Sequence, residues 1–454
     1  MKVLHVITGL GVGGAELQLR SVLQNSRHDA DVVTLYNPGP VAEMIGSDGV
    51  QVRDVGMSRN TQLAVLWRLR GLIRDGGYDV VHAHLYRSQV YGRPAAWLAG
   101  TPVVVSTEHS IGETHLERRP MTAGVRALYL ATGWFSQMTV AVSETVRTRM
   151  TGWGVPAAKV TVIPNGVDLD RVAFDAAARE QVRAQFGAGP GEYLIGVLGR
   201  LDPNKQFDLV IEAAAPLLKA GQARLVIVGK GDEGERLVQA AAKHGVTDRV
   251  VFAGERHDVA GVLSAFDLFV ASSAQETFGL SVLEALANGL PVAYTTCPAL
   301  DGLQVARATQ VPSNAAGIRA ALEAEVAVGH RPRFPEPAVE REYGIVAVTD
   351  RIDTMYEELA AARGPRRRAA RLGARRAHHT TTLSAPAAPG TALAPPLAPT
   401  PLAAKPLAPT PLAPTPLAAA PLTSTAPVSA APAAAAAVAE QAAGPPARMT
   451  GAQR

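Results

Sequence analysis

A chain of 454 residues is too long for one ordinary domain. Its net charge of +4 is uneven: ten Lys/Arg and one acid lie from Arg363 onward, leaving a mildly acidic body with no sign of a duplex-binding surface. The single cysteine, Cys297, excludes an internal disulfide and any cysteine-built metal cluster, and no run approaches ~20 apolar residues, so no membrane span is expected.

The chain opens with KVLHVIT, a strand, then a Gly-rich loop and AELQLRSVLQN, an amphipathic helix. His5 and Thr8 interrupt the apolar start, which argues against a secretory signal. Strand and helix patterns then alternate through ADVVTLY, QLAVLWRLRGLIRD, DVVHAH, VYGRPAAWLAG, PVVVST, VRALYLATGWF, MTVAVS and KVTVIP. Such alternation predicts a mostly parallel sheet covered on both faces. The stretch NGVDLDRVAFDAAAREQVRAQFGAGPGE lacks strands and ends in Gly/Pro, as a connection between domains would. Alternation restarts with EYLIGVLG, NKQFDLVIEAAAPLLKA and ARLVIVG, and continues through RVVFAG, DLFVASS, FGLSVLEALANG and PVAYTT. The expected fold is therefore α/β, with two doubly wound Rossmann-like domains facing across a cleft. Expected boundaries are 1–172 and 173–345, followed by a C-terminal helix over 346–362. A basic and then Pro/Ala-rich tail over 363–454 is expected to be disordered: from residue 380 it has four charged residues and no aromatic.

Ligands of doubly wound sheets sit at the carboxyl ends of strands, and the motifs fall there. Gly9, Gly11, Gly13 and Gly14 follow the first strand and open a helix, where backbone can approach an anion. The spacing resembles a dinucleotide fingerprint, but the second strand ends in Tyr36-Asn37 without the ribose-binding acid, which disfavours a nicotinamide enzyme. Arg200 and Lys205, in GRLDPNK after the first strand of the second half, suit a diphosphate. In QETFGLSVLEALANGLP, a helix beginning within Phe278, Gly279 and Leu280 would direct free N–H groups into the cleft. Glu276 precedes that helix and Glu284 lies inside it; each carboxylate offers two acceptor oxygens, which suits a pair of hydroxyls. Asp168-Leu-Asp170 spells DxD but falls at the domain connection, so no metal site is expected there.

E-x7-E in QETFGLSVLEALANGLPV, with GRLDPNKQFDLVIEA, VIVGKGDEGERL, VFAGERHDV, VIPNGVD and the early GGAE, resembles the retaining GT-B glycosyltransferases of family four. The resemblance covers about residues 1–360. It implies transfer of a sugar from a nucleotide-diphospho-sugar to an acceptor hydroxyl with retained configuration, and without a metal or organic cofactor. Arg200 and Lys205 would bind the diphosphate, Glu276 the transferred sugar and Glu284 the ribose. Phe278, Gly279 and Leu280 would assist through backbone, and Gly13 and Gly14 would close over the donor. His109, in STEHS, matches an active-site histidine of the family, and His84, in VHAHLYRS, is an acceptor-side candidate. Acceptors would be carbohydrate, lipid-linked or small molecules of cell-surface polysaccharide, glycolipid or glycoconjugate synthesis. The arginine-flanked apolar stretches WRLRGLIR and HLERRPMTAGVRALYL would allow peripheral contact with an anionic membrane, and the expected location is cytoplasmic or at the inner membrane face. No nucleic-acid partner is expected. Two departures stand out: Gln206 where many relatives carry Gly, and CPALDGL in place of the usual Gly-rich loop after PVAYTT. The altered loop leaves a catalytically degenerate interaction subunit as the alternative.

Overall fold

A computed structural model describes residues 1–363, apart from Asn60, Thr114 and Arg118. The tail expected from residue 364 onward lies outside the described residues.

The first half contains strands β1 (Lys2–Ile7), β2 (Asp29–Thr34), β3 (Val52–Asp54), β4 (Val80–His84) and β5 (Val103–Glu108). A short antiparallel pair, β6 (His115–Leu116) and β7 (Arg119–Pro120), precedes β8 (Met138–Ala141) and β9 (Val160–Val162). The main sheet has the order β3-β2-β1-β4-β5-β8-β9 and all its pairings are parallel. The second half carries β10 (Tyr193–Leu198), β11 (Ala223–Val228), β12 (Val250–Gly254), β13 (Leu268–Ala271), β14 (Val292–Tyr294) and β15 (Ala308–Gln310). Their order is β12-β11-β10-β13-β14-β15, again parallel. Strands such as β4 and β5 are buried along their whole length, as sheets covered on both faces require.

The order reverses between β1 and β4 in the first sheet and between β10 and β13 in the second. Chains leaving the two strands at such a point diverge to opposite faces, which opens a crevice at their carboxyl ends. Glycines 13 and 14, His84, Arg200, Lys205 and Glu276 all lie in chain segments ending or following these four strands.

The connecting segment is packed rather than free. It forms the helices Leu169–Val172 and Ala176–Gln185, and Arg179 and Arg183 of the latter bond Asp267 at 2.5 and 3.0 Å. Asp168 of the DxD sequence is a helix cap, accepting from Arg171 N at 3.1 Å. The C-terminal helix, Ile345–Ala362, crosses back to the first sheet, where Val348, Ile352, Met355 and Tyr356 pack with Val3, Val80, Val103 and Val140. Both chain crossings between the halves run side by side, with Val167 N donating to Tyr343 O at 2.7 Å and Ile345 N to Val167 O at 3.0 Å. Gly166 permits this approach, since a Cβ there would stand 2.8 Å from Ile345 Cα. One apolar cluster contains Tyr86, Ile111 and Val142 of the first half with Phe278, Val282 and Leu286 of the second, so the core is continuous between them.

Candidate active site

On the second sheet, the loops leaving β10 and β13 are tied together. Ser272 Oγ donates to Lys205 O at 2.6 Å, Asn204 Nδ2 donates to Gln275 O at 2.9 Å, and Asn204 Oδ1 accepts from Gln275 N at 3.1 Å. This clamp sets Lys205 Nζ 2.6 Å from Glu276 Oε1, with both side chains about one-fifth exposed. Arg200 bonds Asp202 of its own loop through Nε at 2.7 Å and its side chain is 54% exposed, which leaves the other guanidinium donors open to solvent.

The helix expected from Phe278 begins at Leu280 and runs to Ala287; Gly279 is its cap, at φ 100°. Only glycine adopts that conformation without strain, and Cys297 fills the space a side chain would need, its Sγ 2.4 Å from the position of an added Cβ. The CPALDGL departure therefore places a buried thiol beneath the helix start, and burial pushes that thiol up to about 12. Glu284, one turn into the helix, is half-buried and lines a pocket with Leu17, Gln18 and Ser21 of the first half and Arg171 of the connection. Burial raises its carboxyl to about 7, against the opposing pull of Arg171.

From the first half, Gly13 and Gly14 open the helix Gly14–Asn25, and a Cβ on Gly14 would lie 4.0 Å from Leu280 Cδ2. The starts of two helices, one from each sheet, thus face each other. Glu16 folds back on Gly13, where an added Cβ would meet its Oε2 at 2.4 Å. Burial raises its carboxyl, and the charge of Arg200 pulls the other way, so the Arg200 field reaches this helix start. Helix position alone gives Glu16 no role in the sequence, although it stands in the quoted GGAE.

His109 follows β5. Glu108 before it is fully buried, where it accepts from Ser110 N at 3.0 Å and Tyr129 Oη at 3.2 Å, and this fixes the turn that carries His109. His84 Nδ1 and His109 Nε2 share a hydrogen bond of 3.3 Å, and His84 Nε2 shares one of 3.0 Å with His5 Nδ1. Desolvation lowers the His109 and His5 imidazoles to about 4 and pushes His84 and His82 well below their usual range, so the cluster is neutral near pH 7. His109 Nδ1 is buried with no hydrogen-bond partner among the described residues. His5, His82 and His84 bring ring nitrogens within 4.8 Å of one another, a spacing open to a metal. Both nitrogens of His82 are, however, engaged by Tyr356 Oη at 2.5 Å and Thr107 Oγ1 at 2.7 Å, and both of His84 by histidines, so the cluster reads as a hydrogen-bonded chain.

The structure thus gathers Arg200, Lys205, Glu276, Phe278, Gly279, Leu280 and Glu284 around the second sheet's switch point. Gly13, Gly14, His84 and His109 come from the first sheet, and Thr277 Oγ1 donates to His109 O across the seam at 2.8 Å.

Residues 11–171 match the Glycosyltransferase Family 4 model and residues 178–305 the Glycosyl transferases group 1 model. A GDP-mannose-dependent alpha-mannosyltransferase of Mycobacterium tuberculosis is 31% identical over 300 residues, 62% of this chain and 74% of the relative. A D-inositol 3-phosphate glycosyltransferase of Mycolicibacterium smegmatis is 30% identical over 339 residues, covering 64% and 72%. The UDP-Gal:alpha-D-GlcNAc-diphosphoundecaprenol alpha-1,3-galactosyltransferase of Escherichia coli is 29% identical over 295 residues, covering 62% and 75%. The crystal structure of Anabaena Alr3699/HepE in complex with UDP-glucose matches 79% of this chain and 100% of its own, with a TM-score of 0.69 and 22% identity, a likeness of fold. With two doubly wound sheets opposed across these residues and both family models matched in order, the chain belongs to the glycosyl transferases group 1 family and has the GT-B fold.

Proposed function

We propose that this glycosyltransferase uses a nucleotide-diphospho-sugar bound mainly to its second half and transfers the sugar, with retention, to a hydroxyl presented from the first half. The convergence of Lys205, Arg200 and Glu276 at the switch point, opposite His109, carries this reading. The bond between the anomeric carbon and the diphosphate oxygen breaks, leaving oxocarbenium character on carbon and charge on phosphate. Arg200, Lys205 and the N–H groups at the start of Leu280–Ala287 stabilise that charge. The acceptor oxygen attacks the same face and gives its proton to the departing phosphate. Glu276 accepts from sugar hydroxyls, Glu284 from the ribose, and neutral His109, through Nδ1, from a hydroxyl of the sugar or the acceptor. No metal or organic cofactor takes part, because two cations and a helix start supply the positive charge.

The acceptor is a lipid-linked saccharide, as the name of the Escherichia coli relative suggests; a small phosphorylated polyol, as named for the D-inositol 3-phosphate glycosyltransferases, is the second candidate. Peripheral contact with an anionic leaflet fits the lipid-linked acceptor. The helix Ala64–Gly76, expected from WRLRGLIR, exposes Trp67 beneath Arg70, its capping Leu63 is exposed as well, and no described helix is long and apolar enough to cross a membrane. The test is transfer from a panel of UDP- and GDP-sugars to a polyprenyl-diphospho-saccharide, with the anomeric configuration read by NMR. Binding of UDP or GDP but not NAD, retained configuration, and activity that survives EDTA are expected. An inverted product, or loss on chelation restored by Mn²⁺, would refute the mechanism.

A further inference from the structure

The seam between the halves holds polar contacts that the transfer chemistry leaves unused. The loop Gln275 to Thr277, which carries Glu276, is met by the loop from His109 to Glu113 and by the helix Glu144–Gly152. Thr277 Oγ1 donates to His109 O at 2.8 Å. Ser143 Oγ caps that helix by accepting from Val146 N at 3.1 Å, and donates to Thr277 O at 2.7 Å. Arg149 Nη1 donates both to Ile111 O at 3.2 Å and to Glu276 O at 3.3 Å. Its guanidinium stands 3.7 Å from Glu113 Oε1, and its side chain is 18% exposed. Gln275 closes the set, accepting from Glu113 N at 3.2 Å and donating to Glu113 Oε2 at 3.4 Å.

Together these contacts tie the Glu276 loop to the loop that follows His109, both directly and through the helix Glu144–Gly152. A guanidinium is rigid and planar, so one that bridges two carbonyls fixes their separation. The two carbonyls belong to loops that leave different sheets, after β5 and after β13. Ile111 lies two residues beyond His109, and Glu276 O belongs to the residue whose carboxylate meets Lys205.

We propose that Arg149 is a positioning residue: with Ser143 and Thr277 it latches the Glu276 loop to the His109 loop, and so brings the two halves of the transfer site into register. The inference rests on the reading of Glu276 and His109 given above. Arg149 touches no reacting atom in this account. Binding of the nucleotide moiety relies on Arg200, Lys205 and Glu284, which the second half's own loops and helix carry, whereas transfer needs both loops in place.

Two experiments keep the latch distinct from the function it serves. Hydrogen exchange needs no substrate: Arg149→Ala should speed exchange of the backbone amides of residues 109–113 and 275–277, and exchange identical to wild type there would overturn the latch whatever the enzyme's substrate. In the transfer assay, Arg149→Ala should lower kcat by ~10²-fold, the scale of a misplacement near 1 Å, while nucleotide Kd stays at the wild-type value. Arg149→Lys should recover only part, because the planar guanidinium holds the two N–H bonds of Nη1 at a fixed angle with Nη2 toward Glu113, whereas the N–H bonds of an ammonium rotate freely. Thr277→Val, nearly isosteric, should lower kcat in the same sense and covers the case in which Arg149→Ala fails to fold. Unchanged kcat in Arg149→Ala and Thr277→Val, or nucleotide affinity falling in step with kcat, would overturn the proposal. Wild-type protein that binds no nucleotide would instead count against the functional reading, with hydrogen exchange still deciding the latch.

Discussion

Lys205 Nζ and Glu276 Oε1 stand 2.6 Å apart, so the cation proposed to hold the diphosphate and the carboxylate proposed to hold the sugar are already paired. The pairing orients both before a donor arrives, which reduces the reorganisation needed when charge develops on the leaving phosphate. Lys205→Ala should therefore lower kcat by ~10²–10³, and Arg200→Ala by a similar factor, the scale of losing one preorganised donor. Steady-state kinetics with the identified donor measures this. Wild-type turnover in both variants would remove the diphosphate site.

Glu284 predicts opposite pH trends for stability and for binding. Its folded carboxyl titrates near 7, raised by burial, whereas an unfolded glutamate titrates near ~4.3. The folded state therefore holds the proton more tightly. Stability from this group is present below the unfolded value, falls as pH rises, and is gone above about 7, a loss of at most ~4 kcal/mol. A ribose diol needs the ionised form as acceptor, so nucleotide affinity should rise over the same interval. Denaturant midpoints from pH 5 to 8 should show the slope in wild type and a flatter one in Glu284→Gln. Equal slopes in the two proteins would contradict the assignment.

Gln206 explains one departure from the family pattern and yields a stability prediction. It sits at φ 49°, ψ 39°, between the 3₁₀ turn Pro203–Lys205 and the helix Phe207–Lys219, and Ser313 Oγ donates to its side-chain oxygen at 3.0 Å. A left-handed residue with a Cβ costs roughly 1–2 kcal/mol, which glycine avoids at a smaller entropic cost. Gln206→Gly should stabilise the protein by about 0.5–1 kcal/mol in urea unfolding. Destabilisation would mean that the Ser313 contact outweighs the strain.

How much was legible beforehand depended on whether the signal was local. Apolar runs such as KVLHVIT and EYLIGVLG point to the two sheets, and E-x7-E with GRLDPNK puts Arg200, Lys205 and Glu276 in loops beyond strand ends and Glu284 in the helix that follows. The pattern bounds the helix start only to Phe278, Gly279 or Leu280; it lies at Leu280, after Gly279 at φ 100° with Cys297 packed against it, a contact 18 residues away in sequence. The return of Ile345–Ala362 to the first sheet was invisible, since an amphipathic stripe does not say which sheet it covers. Arg149 meets Glu276 O across 127 residues of chain, with nothing in RTRM to announce it. His84 was visible in VHAH, but its bonds to His5 and His109 needed β1, β4 and the end of β5 side by side.

The last prediction concerns the membrane. Three of the four tryptophans are exposed: Trp67 at 58%, Trp97 at 57% and Trp134 at 81%. They are linked by contacts along one band of the first half. Arg70 lies over Trp67 and donates to Leu98 O at 3.2 Å, Trp97 packs on Phe135 at 5.2 Å, and Lys159 lies over Trp134 at 5.8 Å. Tryptophan favours the headgroup region, and nearby cations favour anionic lipid. The arginine-rich run from Arg363 to Arg376 adds seven charges, each worth about 1 kcal/mol near an anionic leaflet. Vesicles containing phosphatidylglycerol should therefore pellet the full chain, phosphatidylcholine vesicles should not, and added salt should release it. Ending the chain at Arg363 should weaken pelleting in the salt-dependent part, whereas replacing Trp67, Trp97 and Trp134 with Ala should weaken what remains at high salt. Turnover of a water-soluble acceptor should be unchanged in both variants. Pelleting that ignores lipid charge, the run and the tryptophans alike would show that this enzyme reaches its acceptor without that surface.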